Sequence, residues 1–159
     1  MHPFPNLPVS SVDLARYLGL WHEMAHLPMF FQRKCNDRVT ATYTQNPDGS
    51  IGVLNACRTH AGANECSRGI AKPGDRPGAL KVTFVPRSLR RLPFAWADYW
   101  IIDLDRDYQW SLVGGPARKY LWVLARQPTM DRSLFGRLVD AAAARGYPVQ
   151  RLVASAALT

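Results

Sequence analysis

The sequence predicts an all-β protein, an eight-stranded antiparallel up-and-down barrel shaped as a calyx, with one C-terminal α-helix packed outside. Three observations predict it. Short runs rich in β-branched and aromatic residues follow one another, separated by Gly, Pro, Asn and Asp, at the spacing of a sandwich or barrel. Successive runs lie mostly one hairpin step apart, which favours the up-and-down order. Helical periodicity appears only near the end of the chain.

The elements follow in order. Residues 1–11 hold three prolines and no apolar core, so this segment reads as extended. The barrel spans about 19–126, and the whole chain, 1–159, reads as one domain. Its first run, 20–27, follows Gly19 and stops at Pro28. The second, 39–44, reads VTATYT, and Asn46-Pro47-Asp48-Gly49 turns it into the third, 51–58, a strong hairpin signal. The fourth, 67–72, ends at Pro73-Gly74. The fifth, 79–85, alternates Leu80, Val82 and Phe84 against Lys81 and Thr83. Runs 99–104 and 108–114 are joined through Asp105-Arg106-Asp107, and 120–125 is the last. A helix is expected over 131–145. Asp131 is its cap, Leu134, Leu138, Val139 and Ala142 are its apolar stripe, and Gly146 is its stop. Connections after the odd-numbered runs (29–38, 59–66, 86–98) read as longer than those after the even-numbered ones. One barrel end is therefore expected closed and the other open.

Bulk composition narrows the function. Hydrophobic residues are 47% of the chain and charged residues 20%, the balance of a globular protein with a sizeable core. No apolar run approaches the ~18 residues of a membrane-spanning helix. The net charge of +8 raises nucleic acid as a partner, but the arginines are dispersed and no nucleic-acid motif accompanies them. One cluster stands out: Arg87, Arg90 and Arg91, among Leu89, Leu92, Phe94 and Trp96. It reads either as a solvated loop or as a contact for an anionic membrane surface, where basic charge and exposed apolar groups cooperate.

Motifs then carry a resemblance. Residues 13–21, DLARYLGLW, put a short helical turn before Gly19-Leu20-Trp21. Asp105-Arg106-Asp107-Tyr108 sits at the turn between the sixth and seventh runs, and Leu121-Trp122-Val123-Leu124-Ala125-Arg126 is a strand ending in arginine. In this order the three motifs resemble those of the lipocalin family. The details around them are most similar to the bacterial outer-membrane and apolipoprotein D-like lipocalins. The resemblance covers about 12–153. It departs at His22 and His26, where relatives often carry tyrosine and arginine. It implies a carrier or store for a small hydrophobic ligand such as a fatty acid or lysophospholipid, rather than an enzyme. It also implies a periplasmic or outer-membrane site if a leader has been removed; the segment 1–11 does not itself read as a signal peptide, which would leave the protein cytoplasmic. Gly19, Trp21, Asp105, Tyr108 and Arg126 become fold residues, with Trp21 plugging the closed end and Arg126 laid over the indole as a cation–π lid.

Alternation assigns the inner face. Leu124, Trp122 and Tyr120 point inward by parity with Arg126, and Leu80, Val82 and Phe84 by their own alternation. Ala41, Tyr43 and Val53 are the inward set on the second and third strands; Tyr99, Ile101 and Val113 complete the candidate ligand-binding set. That lining suits an acyl chain, a sterol-like ring system or a polyene, with tyrosine hydroxyls as polar handles.

Three cysteines permit at most one bridge within the chain. Parity favours Cys35–Cys57 over Cys57–Cys66, although the hairpin register places Cys57 opposite Thr40 rather than Cys35. No cofactor motif or metal-ligand spacing is present. Two alternatives to a lipid carrier are a prostaglandin D synthase-like enzyme, with Cys35 or Cys57 activated by His26 or His60, and a haem or tetrapyrrole binder using His22, His26 or His60.

Overall fold

A computed structural model describes residues 4–28 and 35–159. A helical turn, α1 (Leu14–Tyr17), precedes eight strands in sequence order: β1 (Gly19–His26), β2 (Cys35–Gln45), β3 (Ile51–Thr59), β4 (Asn64–Pro73), β5 (Ala79–Thr83), β6 (Ala97–Leu104), β7 (Trp110–Gly114) and β8 (Trp122–Ala125). The helix α2 (Arg132–Ala144) and a two-residue strand, β9 (Val153–Ala154), follow. Each strand pairs antiparallel with the next, and β1 pairs with both β8 and β2, so the barrel closes. Only the first half of β1 reaches β2, from Gly19 opposite Tyr43 to His22 opposite Thr40. Its second half takes β9 instead, with Ala25 opposite Ala154 and His26 opposite Val153.

The apolar residues divide into two clusters on opposite faces of the barrel wall. Trp21, Tyr43, Val53, Leu80, Ile101, Val113 and Leu124 form the inner one. Met24, Ile102, Leu112 and Val123 face outward and are covered by Leu138 and Ala142 of α2. Apolar residues on both faces of β1, β6, β7 and β8 are thus explained by one helix lying outside. The side chain of Asp131 accepts a hydrogen bond from the Leu134 amide (3.0 Å) and starts α2, and Gly146, at φ +92°, ends it. Phe135 joins the helix's packed face, a residue the expected stripe left out.

The structure corrects three sequence expectations. The connection between β3 and β4 is a tight turn, not a long loop. Gly62 adopts φ +85°, and the Thr59 amide and hydroxyl both bond Ala63 across the turn. Residues 64–66 show no apolar alternation because β4 is exposed over its first five residues. Tyr108 lies in the β6–β7 turn at φ +58° rather than in a strand. Tyr120 and Leu121 precede β8. The expected connection 29–38 lies partly outside the described residues.

Candidate functional site

The closed end is built where the three motifs meet. The Asp13 carboxylate caps α1 by accepting from the Ala15 amide at 3.1 Å, which sets Tyr17 beneath the barrel. Trp21 is fully buried and its Nε1 donates to the Tyr17 carbonyl at 2.8 Å. The Arg126 guanidinium lies 3.8 Å from the centre of the indole. It also donates to the carbonyls of Leu20 (3.0 Å), Arg16 (2.8 Å) and Tyr108 (3.1 Å). Gly19, at φ +100°, has no Cβ to crowd the Arg126 Nη1. Asp105 closes the β6–β7 turn by accepting from the Gln109 amide at 3.1 Å, and the Tyr108 hydroxyl accepts from the Asp13 amide at 2.8 Å. All five motif residues therefore converge on one plug.

Above the plug the barrel encloses a cavity of about 510 Å³. Its wall contains Ala41, Tyr43, Val53, Leu80, Val82, Phe84, Tyr99, Val113, Tyr120, Trp122 and Leu124, as alternation anticipated. Ile101 is the exception. It is fully buried in the inner cluster but is not on the wall. It lies two residues nearer the closed end than Tyr99, where inner packing is continuous. Tyr120 stacks on Trp122 with ring centres 5.9 Å apart, and both stay partly exposed near the opening. Phe84 reaches the wall because β4 carries Gly69 beside it; a Cβ there would stand 2.3 Å from the Thr83 carbonyl oxygen and 2.7 Å from the Phe84 ring.

Several wall residues escaped the sequence reading. Tyr17 belongs to a helical turn, so strand alternation could not reach it. Its ring lies 4.9 Å from Trp21 and 5.8 Å from Tyr43. Ala71 is opposite Val82 and shares its face, a signal that was available. Glu23 shares the inner face with Trp21 but, as a charged residue, was not expected there. Its buried carboxylate accepts from the Ser155 hydroxyl, and His26 Nδ1 approaches it at 2.9 Å.

Cys35 and Cys57 form the bridge that parity favoured, with Cα atoms 5.7 Å apart, and Cys66 is free and exposed. The register, which places Thr40 opposite Ala56, shifts twice between Cys35 and Thr40, so that Cys35 comes opposite Thr59. Bulges, one with Arg38 at φ +52°, thus supply the offset that the plain hairpin register lacks. Both sulfurs are thereby withdrawn from nucleophilic chemistry with His26 or His60. Among the described residues no group of three His, Cys, Asp or Glu is placed to hold a metal.

The basic cluster stands apart from the cavity. Phe84 and Ala95 of the β5–β6 connection are on the wall, but Arg87, Arg90 and Arg91 are not. Arg90 Nε donates to the Val85 carbonyl at 3.2 Å, and its own carbonyl accepts from the Trp96 indole at 2.7 Å. Arg87 and Arg91 are exposed, as are Leu89, Leu92 and Phe94.

Comparison with known proteins agrees with this geometry. Residues 12–157 match the family described as Lipocalin-like domain. The chain is 40% identical over 147 residues to temperature-induced lipocalin-1 of Arabidopsis thaliana, covering 91% of this chain and 78% of that protein. It is 36% identical over 150 residues to the outer membrane lipoprotein Blc of Vibrio cholerae, covering 92% and 83%. Among solved structures, insecticyanin of the tobacco hornworm Manduca sexta superposes with a TM-score of 0.71 at 15% identity, covering 100% of this chain and 92% of that one. The cockroach allergen Per a 4 gives 0.72 at 15% identity, covering 99% and 96%.

Proposed function

Because the chain belongs to the lipocalin family, whose members bind small hydrophobic ligands, we propose that it carries or stores a lipid-like molecule inside the barrel: a fatty acid, a lysophospholipid or a similar lipid. One observation carries the reading. The cavity of about 510 Å³ is walled largely by aliphatic and aromatic side chains, within the size range of small-ligand sites. Its ligand contacts are proposed to be the wall residues already named, with Trp122 and Tyr120 nearest the entrance.

Calorimetric titration with acyl, sterol and polyene compounds tests this. Binding should carry a negative heat-capacity change, because apolar surface leaves water. Comparison of the wild type with Trp122→Phe assigns any change in tryptophan emission to the cavity wall. Mass spectrometry of an organic extract of the purified protein identifies a retained ligand. If no compound of the three classes binds, the carrier reading fails.

The proposed site of action is the periplasm or outer membrane. Two observations support it: outer membrane lipoproteins are among the relatives, and the Cys35–Cys57 bridge is of a kind that persists in oxidising compartments. Exposed Leu89, Leu92 and Phe94 beside Arg87 and Arg91 favour an additional contact with an anionic bilayer surface.

A further inference from the structure

The cavity floor is polar although its walls are not. Four hydroxyl groups from four separate elements form one chain there. Tyr43 (β2) and Tyr99 (β6) are 2.8 Å apart through their hydroxyls, Tyr99 and Tyr17 (α1) are 2.9 Å apart, and Tyr17 and Ser111 (β7) are 2.9 Å apart. The three tyrosines are on the cavity wall, whereas Ser111 is fully buried behind it. Within the chain each bond uses one proton, so three bonds among four hydroxyls leave one proton over. Depending on the direction of the bonds, Tyr43 at the open terminus presents either that proton or its lone pairs. The floor can therefore meet an acceptor or a donor by reversing the chain.

The charge around this floor is unfavourable to an anion. Among the described residues of the cavity wall there is no Lys, Arg or His, while the buried Glu23 is present; Asp98, also on the wall, is paired with Lys81. Arg126 lies against the Trp21 indole and is committed to three backbone carbonyls. Burial holds the Tyr17, Tyr43 and Tyr99 phenols well above their ordinary range, and the Glu23 carboxylate adds to the effect at Tyr43. All three remain neutral hydrogen-bonding groups. A carboxylate pressed against them would be stripped of water without a facing cation. A methyl terminus would strip water from the last hydroxyl and replace it with nothing.

We infer that the Tyr43–Tyr99–Tyr17–Ser111 floor is a specificity subsite for a neutral oxygen function (an alcohol, ketone or aldehyde) carried at the inner end of an elongated apolar ligand. The ligand enters oxygen first. This rests on the carrier reading above and adds to it the orientation and chemical class of the occupant. Anionic amphiphiles, in contrast, bind with the charged head outward and leave the floor untouched.

The test displaces the neutral fluorescent probe N-phenyl-1-naphthylamine with decan-1-ol, 1-chlorodecane and decanoate, in the wild type and in Tyr43→Phe and Tyr99→Phe. Each substitution removes one hydroxyl and keeps the ring, and chlorodecane affinity that does not fall reports an intact cavity. Decan-1-ol should lose roughly three- to tenfold in affinity in each variant, the worth of one hydrogen bond. Chlorodecane should hold or gain affinity, because each substitution removes a hydroxyl that its apolar end leaves unpaired, and decanoate, head outward, should change by less than about twofold. Equal losses for decan-1-ol and chlorodecane, an unchanged decan-1-ol affinity, or a loss confined to decanoate overturns the inference while the carrier reading stands. Failure of the wild type to bind decan-1-ol while it binds chlorodecane or decanoate overturns the inference alone, and failure to bind any of these together with every acyl, sterol and polyene compound above overturns both.

Discussion

At Arg126 one planar guanidinium serves three carbonyls and an indole at once. Lysine cannot reproduce that fork, so Arg126→Lys keeps the charge but should lose about 1–2 kcal/mol of stability, measured by urea unfolding. Trp21, fully buried beneath it, should cost about 3–5 kcal/mol as Trp21→Ala, the range for truncating a core aromatic. Tyr17 gives a pH signature. Burial pushes its phenol up to about 12, so the folded state holds the proton more tightly than the unfolded chain does. The corresponding stability is fully present below about pH 10 and is lost as pH rises through about 12. Urea midpoints should therefore fall more steeply with pH above about 10 in the wild type than in Tyr17→Phe. Parallel slopes would show that the phenol is not held neutral by the fold.

At the scale of elements, β9 shows what a short strand can do. Two residues pair with β1, and Ser155 immediately after them satisfies a buried carboxylate, Glu23. Ser155→Ala should destabilise by about 1–3 kcal/mol, because it leaves a buried acceptor short of a donor. Adding Glu23→Gln should recover part of that loss, and unfolding of the four proteins in one cycle checks it. None of this was legible in the sequence, since Val153–Ala154 is too short to alternate and a lone glutamate carries no inward signal. By contrast, α2 was legible to within a residue at each end, because Asp131 and Gly146 fix its ends chemically. The bulges before Thr40 were hidden because bulges depend on the partner strand, not on local propensity.

For the whole molecule, closure of the barrel made the cavity legible. Arg126 fixes parity on β8 and alternation fixes it on β5; of the inward set so read, Ile101 faces inward as expected but lies at a depth the cavity does not reach. Depth is a tertiary quantity that a period of two does not encode. The β5–β6 connection offers a prediction at this scale. Exposed Leu89, Leu92 and Phe94 with Arg87 and Arg91 should bind vesicles containing anionic phospholipid at low salt. Replacing Arg87, Arg90 and Arg91 with glutamine should weaken that binding tenfold or more, at roughly 1 kcal/mol per cation near a charged surface. Added salt should shrink the difference. Wild-type protein that fails to sediment with such vesicles would leave the segment a solvated loop.

The free Cys66 gives the native bridge a consequence for oxidative folding. In the reduced, unfolded chain Cys57 meets Cys66 more readily than Cys35, since the native pair is separated by 22 residues and the shorter loop closes at an entropic advantage of a little under about 1 kcal/mol. Early oxidation should therefore favour the wrong isomer. Cys35 then remains as the thiolate that attacks Cys57, expels Cys66 and forms the native bond by exchange. Refolding of Cys66→Ser should reach the native bridge in one phase, without the lag that this reshuffling imposes on the wild type. A glutathione buffer should shorten that lag in the wild type and leave Cys66→Ser unchanged. The third cysteine, idle in the finished barrel, thus sets the rate at which the barrel acquires its bridge.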